Sequence, residues 1–127
     1  MRVLVTGNLG YIGTVLSPML VEAGHEVVGL DSNLYSRCTY SAGGELCEVP
    51  AIIKDTRDVV ADDLAGFDGI VHLAALSNDP LGDLRRNLTD EINHRASVRL
   101  QNWPRRLGSV ALCLPLPAAT MARLAKQ

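Results

Sequence analysis

The feature that most constrains the fold is a run of three glycines, spaced three apart, within residues 6–13. An apolar segment typical of a buried strand, Val3-Leu4-Val5, directly precedes it, and a second apolar segment at 26–30 ends on Asp31. Between them, apolar residues recur at intervals of three and four, which predicts a helix. Strand, glycines, helix, strand and a terminal acid follow in the order of a β-α-β unit. The predicted apolar face of the helix consists of Ile12, Val15, Leu16, Met19, Leu20 and Ala23.

This order of elements predicts a dinucleotide-binding site. Glycines allow the backbone to turn tightly and to approach a pyrophosphate closely, and the start of the helix presents free N–H groups and partial positive charge to that anion. Asp31 lies 18 residues beyond Gly13, where a carboxylate can accept hydrogen bonds from ribose hydroxyls. The alternative is a glycine-rich turn in an ordinary α/β domain, with Asp31 only solvated.

The sequence after this unit predicts two more strands and two more helices. Short strands are expected at 49–54 and 69–75, and helices at 59–65 and 84–100. Alternating strands and helices favour an α/β fold with a Rossmann-type, doubly wound parallel sheet in the order 3-2-1-4. Ligands of such sheets bind outside the carboxyl ends of the strands, where the four strand ends converge.

Four segments in this order resemble the NAD-dependent epimerase/dehydratase family, which consists of extended short-chain dehydrogenase/reductase proteins acting mostly on nucleotide sugars. The segments are Thr6–Gly13, Asp31, Asp55–Asp58 and His72–Ala75. The likeness covers residues 1–100, which we expect to form an incomplete NAD(P)-binding Rossmann domain. The resemblance implies NAD as the cofactor and the following cofactor-binding residues: Gly7, Gly10, Tyr11, Ile12, Gly13, Asp31, Ser32, Asn33, Asp55, Thr56, Leu73, Ala74, Ala75 and Asn93.

The resemblance also implies where these residues act. Tyr11-Ile12 would lie at the pyrophosphate and Asp31 at the adenosine ribose. Ser32-Asn33 directly follow this acid in the chain, and from that position we expect them to lie beside the adenosine. Asp55-Thr56 would flank adenine, and residues 73–76 would line the nicotinamide side. A carboxylate at Asp31 favours NAD over NADP because it repels a 2′-phosphate.

The sequence leaves the roles of three residues open. Asn93 resembles the asparagine that supports the site from below, but by itself it is equally a solvated helix residue. His72 is interpreted as a satisfied strand histidine, with a site role as the alternative. Arg37, six residues after Asp31, is the one feature that could soften the preference for NAD.

The family's Tyr-x-x-x-Lys pair, whose lysine lowers the pKa of the tyrosine so that the phenolate takes a proton from the sugar hydroxyl, is absent. Tyrosines occur only at 11, 35 and 40, and the residues four positions further on are Val15, Thr39 and Gly44. The only lysines are Lys54 and Lys126. We therefore assign no catalytic residue, and expect a nucleotide sugar as partner only in a full-length relative that has the substrate domain.

Residues 101–127 differ in composition from the rest of the chain. They hold four basic residues, no acid and three of the six prolines, whereas all fourteen acids lie in the first hundred positions. One hypothesis is a frameshift near Leu100, and the other is a natural short chain whose basic tail docks on a partner. Because the tail prolines remove ladder donors, no fifth strand is expected, and the free apolar edge of the fourth strand would promote self-association.

Other features narrow the function. The three cysteines form no CxxC pair and no histidine stands at metal-ligand spacing, so no metal is expected. No apolar run approaches the ~20 residues of a membrane span, and no signal peptide is recognised, so a cytoplasmic protein without membrane or nucleic-acid partners is expected. Two functions remain: the NAD-binding portion of a nucleotide-sugar epimerase or dehydratase, or a non-catalytic NAD-sensing or protein-interaction module.

Overall fold

The computed structural model describes residues 1–36, 49–76, 86–102 and 111–113. The predictions made for Arg37, for the loop up to residue 48 and for most of the tail lie outside these ranges.

The described strands form one parallel sheet in the order β3-β2-β1-β4-β5. The predicted α/β class and the order 3-2-1-4 of the first four strands are confirmed. The innermost strand pairs on both sides, with Val5 opposite Gly29 of one neighbour and Val71 of the other. The strands are β1 (Arg2–Thr6), β2 (Glu26–Asp31), β3 (Ala51–Ile53), β4 (Gly69–His72) and β5 (Ala111–Cys113).

The free edge predicted at β4 is wrong. β5 pairs with β4 in parallel, with Ile70 opposite Leu112. The three residues of β5 lie between Pro104 and Pro115, so no proline falls within the strand and its backbone donors stay available. The tail therefore adds a strand to the sheet, and β4 offers no unpaired edge for self-association.

Helical segments connect the strands. They are α1 (Gly13–Glu22), a 3₁₀ turn (Thr56–Asp58), α2 (Ala61–Leu64), α3 (Arg86–Asp90), a π-helical segment (Glu91–Ala96) and α4 (Ser97–Asn102). The last three follow one another without a gap, so the long helix predicted at 84–100 is confirmed from residue 86 onward as one helical run with a change of register inside it. Its first two predicted residues lie outside the described ranges. Within the described residues, no helix has the length and apolar character needed to cross a membrane.

The predicted apolar face of α1 is partly wrong. Ile12, Val15 and Met19 are 56%, 61% and 58% exposed. Gly13 and Ser17 are the buried residues of the helix instead.

Gly13 explains this rotation of α1. A Cβ at Gly13 would lie 2.2 Å from the carbonyl oxygen of Gly7 and 2.5 Å from Cα of Asn8, so the helix turns its glycine toward the loop. Ile12, Val15 and Met19 lie about 100–160° around the helix from Gly13, at 100° per residue, and therefore face outward. A close backbone approach thus overrides the pattern of apolar residues.

The core has two parts, one on each face of the sheet, because successive side chains of a strand point to opposite faces. α2 and α4 cover one face, and α1 covers the other. The first face buries Leu4, Leu30, Val59, Leu64, Phe67, Ile70 and Leu100, and the second buries Val3, Val5 and Val27 against Leu20, Val49, Val71 and Leu73. Both faces being covered leaves the carboxyl ends of the strands as the edge where loops converge.

Candidate functional site

Backbone hydrogen bonds join the segments that follow β1, β2, β3 and β4 at the carboxyl ends of the strands. Gly7 N–H donates to Leu30 O at 2.8 Å, and Leu73 N–H donates to Thr6 O at 3.0 Å. On the other side, Lys54 N–H donates to Asp31 O at 2.9 Å. The predicted convergence of the four strand ends is therefore present in the structure.

The first glycine has a structural reason to be glycine. Gly7 has a φ of +74°, which other residues rarely adopt. A Cβ there would also lie 2.7 Å from the backbone nitrogen of Ala74, in the loop after β4. Gly7 therefore lets the end of β1 pack directly against that loop.

Gly10 is less crowded than Gly7 and Gly13 at the position that a Cβ would take. Apart from its chain neighbours, the one described atom within 4 Å of an added Cβ would be the carbonyl oxygen of Gly7, at 3.2 Å. Gly10 N–H donates to that same oxygen at 3.1 Å, which closes the turn. A side chain at Gly10 would therefore stand over the turn, in the space through which a ligand would approach the backbone.

The start of α1 presents unpaired backbone donors. Among the described residues, none accepts a hydrogen bond from the N–H groups of Tyr11, Ile12 or Gly13. No side chain caps the helix, and its first turn holds no acidic residue to neutralise the helix dipole. Tyr11 is 94% exposed, so the approach is open. Backbone donors at a helix start favour an anion, and the pyrophosphate contact expected from the sequence stays a prediction.

Asp31 holds the glycine loop to the end of β2. Its Oδ2 accepts a hydrogen bond from Leu9 N–H at 3.2 Å, and its Oδ1 accepts one from Asn33 N–H at 2.8 Å. Each carboxylate oxygen keeps a further lone pair for a ribose hydroxyl. Ser32 and Asn33 are exposed beside it, and Asn33 has a φ of +54°. The alternative of a merely solvated Asp31 is wrong.

Asn8 and Gly29 form a contact that sequence reasoning missed. Asn8 is 3% exposed, and a Cβ at Gly29 would lie 2.2 Å from the Asn8 side chain. The signal was present, since a glycine inside an apolar strand often marks a close approach of another group. Within the described residues, the Asn8 Oδ1 has no hydrogen-bond partner.

Asp55 and Thr56 lie at the end of β3, on the far side of β2 from the glycine loop. The carboxylate of Asp55 accepts from Arg57 Nε at 3.0 Å and from Arg57 Nη2 at 2.8 Å. These bonds to Arg57 hold the pKa of Asp55 below its ordinary value. Arg57 Nη1 also lies 3.5 Å from Glu91 Oε2, so it connects this loop to the π-helical segment. Sequence reasoning did not assign Arg57 this role.

On the other side of β1, Asn93 clamps the loop after β4. Its Nδ2 donates to Leu76 O and its Oδ1 accepts from Leu76 N–H, both at 2.8 Å. Asn93 lies in the π-helical segment, and such segments recur at functional sites. The alternative of a solvated helix residue is wrong for Asn93. Leu73, Ala74 and Ala75 are half-buried in the loop that it holds.

His72 is buried at the end of β4 and bonded through both ring nitrogens. Its Nδ1 lies 2.6 Å from Thr6 Oγ1 and its Nε2 lies 2.9 Å from Ser97 Oγ. Burial lowers the pKa of His72 to about 4, so the ring is neutral near pH 7. The interpretation of His72 as a satisfied strand histidine is confirmed.

The described residues contain no group of three His, Cys, Asp or Glu side chains that could hold a metal ion. The polar groups that the structure describes here include the backbone donors of the glycine loop and the Asp31 carboxylate.

Comparison with known proteins identifies a family whose model matches most of the chain. The model of the NAD dependent epimerase/dehydratase family matches residues 3–114. This range reaches beyond residue 100, the limit of the likeness recognised in the sequence, and includes β5.

Individual relatives agree with the family match. The chain is 41% identical over 83 residues to a UDP-glucose 4-epimerase of Corynebacterium glutamicum, covering 61% of this chain and 23% of that enzyme. It is 33% identical over 112 residues to a UDP-glucose 4-epimerase of Mycolicibacterium smegmatis, covering 79% of this chain and 35% of the relative. The chain thus spans about a quarter to a third of the length of these two relatives.

A solved structure shows the same architecture. The UDP-glucose 4-epimerase of Thermus thermophilus, in complex with NAD, superposes with a TM-score of 0.72 at 29% sequence identity. The match covers 88% of this chain and 36% of that enzyme.

Proposed function

The chain belongs to the NAD-dependent epimerase/dehydratase family, and we propose that it is the NAD-binding portion of a nucleotide-sugar epimerase or dehydratase, without turnover of its own. One observation carries the proposal: the hydrogen bond between Leu9 N–H and the Asp31 carboxylate. It joins the predicted pyrophosphate loop to the predicted ribose acid in one contact, which an ordinary glycine-rich turn does not require.

The order of the strands supports an orientation for NAD. The pyrophosphate would lie on the free N–H groups of Tyr11 and Ile12, above β1. The adenosine ribose would lie at Asp31 on β2, with adenine toward Asp55 and Thr56 at the end of β3. The nicotinamide half then extends to the other side of β1, over the loop that follows β4. When bound, NAD supplies a nicotinamide ring that accepts or returns a hydride.

Asp31 supports a preference for NAD over NADP. Its oxygens accept hydrogen bonds from two backbone N–H groups and keep lone pairs for the ribose hydroxyls. A 2′-phosphate would bring a second negative charge against this carboxylate. Discrimination against NADP therefore follows from the charge of one side chain.

The proposed lack of turnover rests on the inventory of proton-transfer groups. Sugar oxidation in this family uses a Tyr-x-x-x-Lys pair, and no tyrosine of this chain has a lysine four residues further on. The neutral ring of His72 cannot replace it, because His72 is only 4% exposed and both its nitrogens are bonded.

The cytoplasmic location expected from the sequence stays a prediction.

Calorimetric titration of the purified chain with NAD and with NADP tests the proposal. We expect saturable binding of NAD with one site per chain and weaker binding of NADP. Absence of NAD binding by a chain whose circular dichroism shows a folded α/β domain would overturn it.

A further inference from the structure

A line of buried polar groups runs from the loop after β4 to the π-helical segment. Ala74 N–H donates to Thr6 Oγ1 at 3.4 Å, and Thr6 Oγ1 lies 2.6 Å from His72 Nδ1. His72 Nε2 lies 2.9 Å from Ser97 Oγ, which donates to the carbonyl oxygen of Asn93 at 2.9 Å. Thr6, His72 and Ser97 are 0%, 4% and 8% exposed, so water does not compete for these bonds.

The chemistry of the end groups sets the direction of every bond in this line. The carbonyl of Asn93 can only accept, so the one hydroxyl proton of Ser97 points to it. Ser97 Oγ must then accept from His72, which places the proton of the neutral ring on Nε2. Nδ1 is left as an acceptor, so Thr6 donates its hydroxyl proton to Nδ1 and accepts from Ala74 N–H. One tautomer of His72 satisfies all five groups.

Both ends of this line hold the same loop. Ala74 bonds to Thr6 at one end, and at the other end Asn93 clamps Leu76 through its side chain. Thr6 directly precedes Gly7, where an added Cβ would lie 2.7 Å from the backbone nitrogen of Ala74. The line therefore connects the glycine loop, the loop 73–76 and the π-helical segment through one imidazole.

We propose that His72 is a positioning residue: as the Nε2–H tautomer it couples Thr6 to Ser97 and thereby sets the loop 73–76 against the glycine loop, at the nicotinamide end of the site. The inference rests on the proposed NAD site, since it concerns which half of the cofactor that loop meets. It assigns His72 no contact with the reacting atoms.

The first test measures the tautomer directly. Long-range ¹H–¹⁵N correlation spectra of the chain labelled with ¹⁵N-histidine distinguish the protonated from the unprotonated ring nitrogen. We expect His72 to be neutral and protonated on Nε2 near pH 7, as a single tautomer. In Ser97→Ala the acceptor for Nε2–H is lost, so a mixture of tautomers is expected. Protonation of His72 on Nδ1 in the unmodified chain would overturn the proposal.

The second test separates the two halves of NAD. ADP-ribose shares the adenosine and pyrophosphate of NAD but lacks nicotinamide. For Thr6→Val and Ser97→Ala we expect NAD to bind about tenfold more weakly, the loss of one buried hydrogen bond, with ADP-ribose affected less than about twofold. Ser97→Thr keeps the hydroxyl and should restore NAD affinity.

Ser17→Ala is the matched control. Ser17 is a buried helix serine, 2% exposed, whose hydroxyl has no hydrogen-bond partner among the described residues. Its removal should leave the affinities for both nucleotides unchanged. Each variant is first checked for a cooperative thermal transition; if Thr6→Val does not fold, the Ser97 pair decides the test.

The outcomes separate this inference from the proposed function. If the unmodified chain binds neither nucleotide, the proposed function fails and this inference fails with it. If the chain binds NAD but the variants weaken NAD and ADP-ribose equally, or weaken neither, only the inference is overturned.

Discussion

Asp31 holds the glycine loop to the end of β2, and we propose that it also binds the adenosine ribose of NAD. Comparing cofactors in a substitution distinguishes these two tasks. Asp31→Ala should weaken NAD binding by roughly 1.5–3 kcal/mol, the range for hydrogen bonds to a charged group. NADP should lose much less affinity or gain some, because the repulsion of its 2′-phosphate is also removed. Calorimetry with both cofactors measures the difference.

Glu26→Ala is the matched control for Asp31. Glu26 lies at the other end of β2, exposed and paired with Arg2 at 3.0 Å, far from the strand's carboxyl end. Its removal should change neither affinity. Equal losses for NAD and NADP in Asp31→Ala would mean that Asp31 only supports the loop and does not meet the ribose.

Because the pKa of buried His72 is lowered, we expect the stability of the chain to depend on pH. Burial lowers its pKa to about 4 from 6.5, so the unfolded chain binds more protons between these values and stability falls as the pH falls through this window. Between pH 7 and pH 5 the free energy of unfolding should decrease by about 2 kcal/mol, given 1.36 kcal/mol per pKa unit. Urea unfolding at several pH values measures this decrease.

The variant His72→Gln should lose this pH dependence, whatever its absolute stability. Asp55 and Asp63 do not confuse the result. The pKa of Asp55 is lowered by hydrogen bonds from Arg57 and that of Asp63 by Lys54, so both stay ionised in the folded chain between pH 7 and pH 5. An unchanged slope in His72→Gln would show that other groups titrate.

The glycine loop packs against the start of α1, and substitutions at two of its glycines should have different effects. One should change NAD binding and the other should change stability. In Gly10→Val the new Cβ would lie 3.2 Å from the carbonyl oxygen of Gly7, a much smaller overlap than at Gly13, so the helical circular-dichroism signal should persist while NAD binding is lost. In Gly13→Ala the new Cβ would lie 2.2 Å from that oxygen, so stability should fall because α1 must move away. Calorimetry and thermal unfolding of both variants test this contrast. Retained NAD affinity in Gly10→Val would show that the loop is only a turn.

The π-helical segment gives Asn93 its position below the loop 73–76. Asn93→Ala removes both hydrogen bonds to Leu76 and leaves half-buried backbone groups unpaired, so the free energy of unfolding should fall by roughly 1–3 kcal/mol. Asn87→Ala, on the exposed side of α3, should change it by less than about 0.5 kcal/mol, as surface substitutions usually do. Urea unfolding of both variants provides the comparison, and similar losses would contradict a specific clamp.

At the scale of the whole molecule, we expect NAD binding to occur without catalytic turnover. We expect the purified chain to bind NAD but to show no epimerase, dehydratase or reductase turnover with UDP-glucose or another nucleotide sugar. The physical reason is the absence of a Tyr-x-x-x-Lys pair among its 127 residues. The measurement is product formation followed by chromatography, together with NADH absorbance, using a full-length UDP-glucose 4-epimerase as the positive control. Turnover that copurifies with the chain through several steps would contradict this expectation.

Much of the fold could be predicted because its determinants are local in the sequence. The apolar segments at β1 and β4, the glycine spacing and Asp31 at the end of β2 are patterns within short windows. The order of the strands follows from right-handed crossovers and the lengths of the connections. The residues that lie together at the carboxyl ends of the strands can therefore be identified from the sequence.

Only the tertiary structure shows which groups from distant segments of the chain contact each other. The exposure of Val15 and Met19 depends on how closely the glycine in α1 approaches the loop, a distance that apolar periodicity does not contain. The pairing of β5 with β4 depends on where the prolines of the tail fall relative to three residues. The tautomer of His72 depends on Thr6 and Ser97, which are 66 and 25 residues away in the chain. A sequence pattern records what each segment prefers by itself, whereas a hydrogen bond or a close contact depends on the relative positions of two segments.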